Sequence, residues 1–306
     1  MKPARTLVSG GTGFVGRFIV ERLIAEGHDV AVFGREAPPA GCFSRPVRFF
    51  AGMLDPAQDF SAAFVGADFL VHAAFDHVPG RYRGGEGDDP GGFRRRNLEG
   101  TLAFFQAAKQ AGLRRAVFLS SRAAYGDDTT GAPLTEDMPC HPLSLYGRVK
   151  LATEEALRAM AGSGFAAISL RVTGVYGPAG PGRTHKWSEL FTDYLAGKPI
   201  EPRAGTEVHG QDVAAAVSLM LSASDRSAPA HVFNVSDMLV DRHDILAIVQ
   251  TVTGSANALP ARADTASLGI MVTERLRALG WRPGGWPLFR ETVEELVKQH
   301  RGITRP

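Results

Sequence analysis

The sequence predicts an α/β fold: a doubly wound parallel sheet with helices on both faces, and a smaller C-terminal α/β substrate lobe. Three observations carry this. Short apolar runs alternate with helical stripes through residues 1–172. A glycine-spaced turn joins the first run to the first stripe. Residues 173–306 are less regular and mainly helical, apart from short segments near 206–235 that return to the first unit.

The elements follow in order. Residues 6–9 are an apolar run stopped by glycines, which reads as a buried strand. Phe14, Val15, Phe18, Ile19, Leu23 and Ile24 share one stripe over 13–26, and Gly27 closes that helix. Further strands are predicted at 30–33, 47–50, 69–72, 116–120 and 166–170, with helices at 97–111 and 144–161. Such alternation implies crossover units and a parallel sheet buried on both faces. Beyond it, 177–185 is a Gly/Pro loop. Helical patterns occupy 186–196, 211–222, 242–253, 273–279 and 290–299, and short strands lie near Val208 and at 231–234. A glycine-rich insertion at 78–92 follows the fourth strand, at the sheet edge where ligands bind in such folds.

Composition narrows the class. The 306 residues carry 34 Lys+Arg against 32 Asp+Glu, a net charge of +2, with 44% hydrophobic and 22% charged residues. Those values exclude a disordered chain and give no electrostatic case for nucleic acid or a membrane surface. Two cysteines, Cys42 and Cys140, cannot build a disulfide framework, so a reduced, cytoplasmic protein is expected. No run approaches ~18 apolar residues, and the first apolar run is too short for a signal-peptide core. No metal site is expected. Glycine is in excess, 35 residues, and this points to turns and close backbone approaches.

The turn Ser9-Gly10-Gly11-Thr12-Gly13-Phe14-Val15-Gly16 has glycines at 10, 13 and 16 between a strand and a helix. Gly10 permits the tight turn, Gly13 the approach of a pyrophosphate, and Gly16 close helix packing. The helix N-terminus offers free N–H groups and the positive dipole end. This is a Rossmann-type dinucleotide site. The second strand ends in Phe33-Gly34-Arg35, with no carboxylate for the ribose 2′-hydroxyl before Glu36. Arg35 therefore points to the 2′-phosphate of NADP. The alternative is a solvated Arg35, with NAD bound without an acidic anchor.

Tyr146 and Lys150 stand at i and i+4 on one helix face. A tyrosine, with an ordinary pKa of about 10, is a poor base at neutral pH until a nearby cation favours its phenolate. It can then exchange a proton with a substrate hydroxyl while hydride moves to or from nicotinamide. Ser120 and Ser121 end the fifth strand at the same edge.

In combination these pieces resemble the extended short-chain dehydrogenase/reductases, the NAD-dependent epimerase/dehydratase family. The matching segments are 9–16, Val71-His-Ala-Ala74, Asn97-Leu-Glu-Gly-Thr101, Phe118-Leu-Ser-Ser-Arg-Ala-Ala-Tyr-Gly126, Tyr146-Gly-Arg-Val-Lys150, Leu170-Arg-Val-Thr-Gly-Val-Tyr-Gly-Pro178, Val208-His-Gly-Gln-Asp-Val-Ala214 and Phe233-Asn-Val235. The resemblance implies Tyr146 as catalytic acid/base, Lys150 as the group that lowers its pKa and holds the nicotinamide ribose, and Ser121 as the substrate-oxygen partner. It places Ala73 and Ala74 over the cofactor with Asn97 nearby, and Val175 near the nicotinamide. It also implies a homodimer through the helices carrying Asn97 and Tyr146.

Departures from the pattern bear on the substrate. Arg122 and Ala123 stand where sugar-nucleotide dehydratases carry an Asp-Glu pair. Gly205 stands near the place of the arginine that meets the substrate diphosphate, Gly174 replaces an asparagine, and Met53 an aspartate. Hydride chemistry is left intact while a nucleotide sugar is weakened. A cluster of His77, Arg81, Tyr82 and Arg83 with Arg183, His185 and Lys186, beside Tyr125, would suit a small anionic substrate; a mixed-charge solvated loop is the other reading. Asp212 reads as a helix N-cap and His209 as structural. The leading function is NAD(P)-dependent oxidation or reduction of a secondary alcohol or ketone in a small polar, sugar-like compound. The alternatives are an NDP-sugar 4-epimerase and a non-catalytic NAD(P)-sensing protein.

Overall fold

A computed structural model describes residues 3–78, 84–126, 130–223 and 231–303. Its first unit is a seven-stranded sheet built from β1 (Arg5–Ser9), β2 (Asp29–Gly34), β3 (Arg48–Ala51), β4 (Phe69–His72), β5 (Arg115–Ser121), β6 (Ala166–Val172) and β9 (Val232–Val235). The spatial order is β3-β2-β1-β4-β5-β6-β9, and every neighbouring pair is parallel. Successive side chains alternate between faces, so each face has its own core. Val8, Val32, Val71, Val117 and Leu119 pack on one side, with α1 (Phe14–Ala25) and α7 (Gly210–Ser222). Leu7, Phe33, Leu70 and Phe118 pack on the other, with α2 (Ser61–Phe64), α4 (Thr101–Gln110) and α5 (Leu145–Met160).

The remaining strands form a second sheet in the order β10-β8-β7, made of β7 (Gly174–Tyr176), β8 (Ala204–His209) and β10 (Met238–Asp241). Helices α6 (Ser188–Leu195), α8 (Arg242–Thr253) and α10 (Gly285–Ile303) complete this lobe, while α9 (Glu274–Ala278) packs against β9 of the main sheet. A separate core of Tyr176, Trp187, Phe191, Leu246 and Phe289 lies in this lobe.

Some features differ from the sequence reading. The strand near Val208 belongs to the small sheet and not to the main one. The helix expected at 97–111 begins earlier, as α3 (Pro90–Arg94), and passes through a π-helical stretch, Arg95–Gly100, before α4. A π stretch carries one extra residue per turn and shifts the apolar stripe that marks a helix. Asp212 is not the N-cap of α7. His209 is: its Nδ1 accepts from the Gln211 N–H at 3.1 Å, and Asp212 accepts instead from the Gly284 N–H at 3.1 Å.

Candidate active site

The glycine turn is shaped by contacts its side chains would block. Gly10 has φ +70°, and a Cβ there would lie 2.6 Å from the Ala74 nitrogen. The turn therefore fits directly beneath Ala73 and Ala74. A Cβ on Gly16 would lie 2.1 Å from the Gly10 carbonyl oxygen, so this glycine packs the helix against the turn as well as beside the sheet. Helix α1 starts with Gly13 as N-cap, has no capping side chain and carries no acid in its first turn. Its leading N–H groups and positive end suit a pyrophosphate. Thr12, Phe14 and Val15 are half-buried around it.

His72 braces the turn from below. Its Nδ1 is 2.6 Å from Ser9 Oγ and its Nε2 is 3.1 Å from Thr101 Oγ1, while Phe118 stacks on the ring. Burial holds its pKa down to about 3, so it stays neutral. His185 and His209 are likewise held down to about 4 by burial. An unfolded histidine titrates near 6.5. Between about 3 and 6.5 the unfolded chain binds more protons, so stability falls as pH drops through that window. Asp212, raised to about 6 chiefly by burial, opposes this over a narrower range. The melting temperature is expected to fall from pH 7 to pH 4, and His72→Asn to flatten that slope; a flat wild-type profile contradicts the assignment.

Arg35 does not stand free. It reaches over the carboxyl end of β1 to Asp76, with Nη1 3.1 Å from Oδ1, and is 72% exposed. Arg96 also holds Asp76 at 2.5 Å. Asn97 is buried in the π stretch, where it clamps the Asp76 backbone at both N–H and carbonyl, each at 2.7 Å. In this structure its side chain is thus committed to holding the 73–78 loop.

The Ser–Tyr–Lys residues are brought together. Gly147 packs so tightly on Ala123 that a Cβ would lie 2.3 Å from the Ala123 oxygen. This seats the start of α5, with Tyr146, against the turn after Ser121. Lys150 Nζ donates to the Leu119 carbonyl at 2.7 Å and lies 5.7 Å from the Tyr146 ring centre. Its other neighbours are the faces of Phe75 and Phe118, at 4.4 and 4.7 Å. Burial pulls the Lys150 pKa down to about 7, with Glu154 opposing. Ser121 Oγ accepts from the Ala123 N–H at 3.2 Å. Val175 is half-buried on β7, just past the end of β6.

Phe75 went unnoticed in the sequence, yet its ring meets Tyr146 edge-on at 5.0 Å and roofs Lys150. Only its place after Ala73-Ala74 marked it. A second missed group lies under α5. Glu154 accepts a bidentate pair from Arg171, with Arg171 Nη2 at 2.7 Å, and also accepts from the Ser120 hydroxyl.

Among the described residues, no contact gathers the expected anion-binding cluster into one site. Tyr125 is buried, and its hydroxyl donates to Asn234 at 2.7 Å, so it does not face a substrate. His185 packs between Phe191 and His300 in the C-terminal core. Lys186 is committed to Glu207. Arg183 is exposed at the turn after Gly180. His77 Nδ1 is 3.2 Å from the Phe75 carbonyl. Arg81, Tyr82 and Arg83 lie outside the described residues.

Comparison with known proteins agrees with this arrangement. A UDP-glucose 4-epimerase of Corynebacterium glutamicum is 29% identical over 91% of this chain and 91% of its own length. A dTDP-6-deoxy-L-talose 4-dehydrogenase (NAD(P)(+)) of Kitasatospora kifunensis is 28% identical over 97% and 94%. The crystal structure of the Thermus thermophilus UDP-glucose 4-epimerase in complex with NAD superposes with a TM-score of 0.77 at 29% identity, covering 97% of this chain and 99% of that one. The model of the NAD dependent epimerase/dehydratase family matches residues 6–236, and the chain belongs to that family.

Proposed function

We propose that this enzyme moves a hydride between a nicotinamide dinucleotide and a secondary alcohol or ketone of a small polar, sugar-like compound. The observation that carries this is Lys150, buried beside Tyr146 and tied to the strand end that bears Ser121. Gly10, Thr12, Gly13, Phe14, Val15 and Gly16 would hold the dinucleotide phosphates, with Ala73 and Ala74 over them and Val175 toward the nicotinamide. Bound oxidised nicotinamide supplies the hydride acceptor. Tyr146 takes the hydroxyl proton as the carbon–oxygen double bond forms, Lys150 stabilises the phenolate, and Ser121 hydrogen-bonds the reacting oxygen. A pure dinucleotide sensor has no need of all three groups.

The family's epimerases favour a second reading, an NDP-sugar 4-epimerase, because relatives of that kind align along nearly the whole chain. Net accumulation of reduced cofactor identifies an oxidoreductase. Epimerised product with no net cofactor change identifies an epimerase. Neither product from a panel of sugars and sugar nucleotides contradicts both.

We propose NAD as the dinucleotide, in place of the NADP that Arg35 alone implies. The Asp76 carboxylate, shared with Arg96, already engages Arg35, can accept from a ribose hydroxyl and opposes a 2′-phosphate. Wild type is expected to bind NAD more tightly than NADP. Asp76→Asn should improve NADP relative to NAD by about tenfold, the scale of one nearby charge. A wild-type preference for NADP in titration calorimetry contradicts this.

We also propose a homodimer through the helices carrying Asn97 and Tyr146 in a reducing compartment, where Cys42 and Cys140 remain free thiols. A single-chain mass in sedimentation contradicts the dimer. Among the described residues no helix is long and apolar enough to cross a membrane.

A further inference from the structure

Just past the strand end that carries Ser121, the small sheet holds a carboxylate that the mechanism does not use. Ser121 is the register partner of Val172 across β5 and β6, and Gly174 opens β7 two residues later. Gly174 and Glu207 are register partners of parallel β7 and β8, so they share one face of the small sheet. A Cβ on Gly174 would stand 2.8 Å from both Glu207 carboxylate oxygens. The missing side chain is therefore the space in which the carboxylate sits.

Lys186 Nζ donates to both oxygens, at 2.7 and 2.6 Å. The Glu207 side chain is 14% exposed and that of Lys186 32%. Burial pushes the Glu207 carboxyl above its ordinary value, while Lys186 and the more distant Arg203 pull it back. A charge this shielded is tolerated only when paired. The pairing consumes the lysine that would otherwise receive an entering phosphate. The carboxylate keeps unused lone pairs, which accept from hydroxyl groups.

We propose that Glu207, seated by Gly174 and Lys186, selects the substrate class: it accepts hydrogen bonds from hydroxyl groups of a neutral polyhydroxylated compound and excludes the diphosphate of a nucleotide sugar. This rests on the hydride-transfer reading above and narrows its substrate. The diphosphate of a nucleotide sugar would meet a like charge and an already neutralised lysine. Glu207→Gln keeps the shape, removes the charge and frees Lys186.

The test is titration calorimetry with UDP alone. Wild type is expected to bind UDP no better than millimolar. Glu207→Gln and Glu207→Ala should each tighten binding about tenfold or more, the effect of one nearby charge. Adding Lys186→Met to Glu207→Gln should remove the gain, which a merely structural ion pair would not produce in either direction. Micromolar binding of UDP by wild type, or unchanged binding in both Glu207 variants, overturns the proposal. NAD affinity, measured in parallel, should stay within about twofold in every variant. Failure of wild type to bind NAD counts against the hydride-transfer reading alone, because the UDP arm does not involve the cofactor.

Discussion

Tyr146→Phe is expected to lower turnover by about a thousandfold, within the 10²–10⁴ range of a positioned acid or base. The substitution removes one oxygen. It leaves the ring that packs edge-on against Phe75 at 5.0 Å and lies 5.7 Å from the Lys150 amine. Cofactor affinity should therefore change by no more than about twofold, so the loss appears in kcat rather than in binding. Full activity in the variant would remove the proton-transfer role from Tyr146. A parallel collapse of cofactor affinity would make the residue structural instead.

The largest effect on stability is expected from Arg171→Met. Arg171 and Glu154 are 5% and 3% exposed, and their bidentate pair fastens α5 to β6. Without the guanidinium, Glu154 keeps only the Ser120 hydroxyl as donor among the contacts described. Removing one partner of a buried pair typically costs about 3–5 kcal/mol, because a charge is left unmatched. The Arg171 guanidinium also covers the Tyr125 ring at 4.5 Å, so packing is lost as well. Pairing the change with Glu154→Leu should recover much of the deficit. Urea unfolding decides it: a loss under about 1 kcal/mol contradicts the assigned role. The site should suffer too, since Ser120 adjoins Ser121 and Glu154 lies one turn beyond Lys150 on α5.

How much of this was legible in the sequence depends on the range of the interaction. The glycine turn was legible because its demands are local: a positive φ at Gly10 and close backbone contacts are met only by glycine. Tyr146 and Lys150 were legible through helical spacing, and the strands through apolar runs buried on both faces. Glu154–Arg171 and Glu207–Lys186 were not, since each pair joins elements 17 and 21 residues apart through side-chain packing. The burial of Tyr125 is hidden for the same reason: its partner Asn234 is 109 residues away. Nothing local to Arg35 discloses Asp76 across the end of β1. The strand pairing of β7 with β8 was hidden as well, because three residues are too few to show a period.

The central claim, that this chain performs hydride transfer with Tyr146 as proton carrier, is tested most directly by isotope transfer. A hydroxylated compound turned over by the enzyme is labelled with deuterium at the carbinol carbon and incubated with a stoichiometric amount of enzyme and oxidised cofactor. Mass spectrometry of the cofactor after one turnover should find the deuterium on the nicotinamide ring, and Tyr146→Phe should abolish that transfer. Deuterium released to solvent instead, or equal transfer by wild type and Tyr146→Phe, would contradict the account.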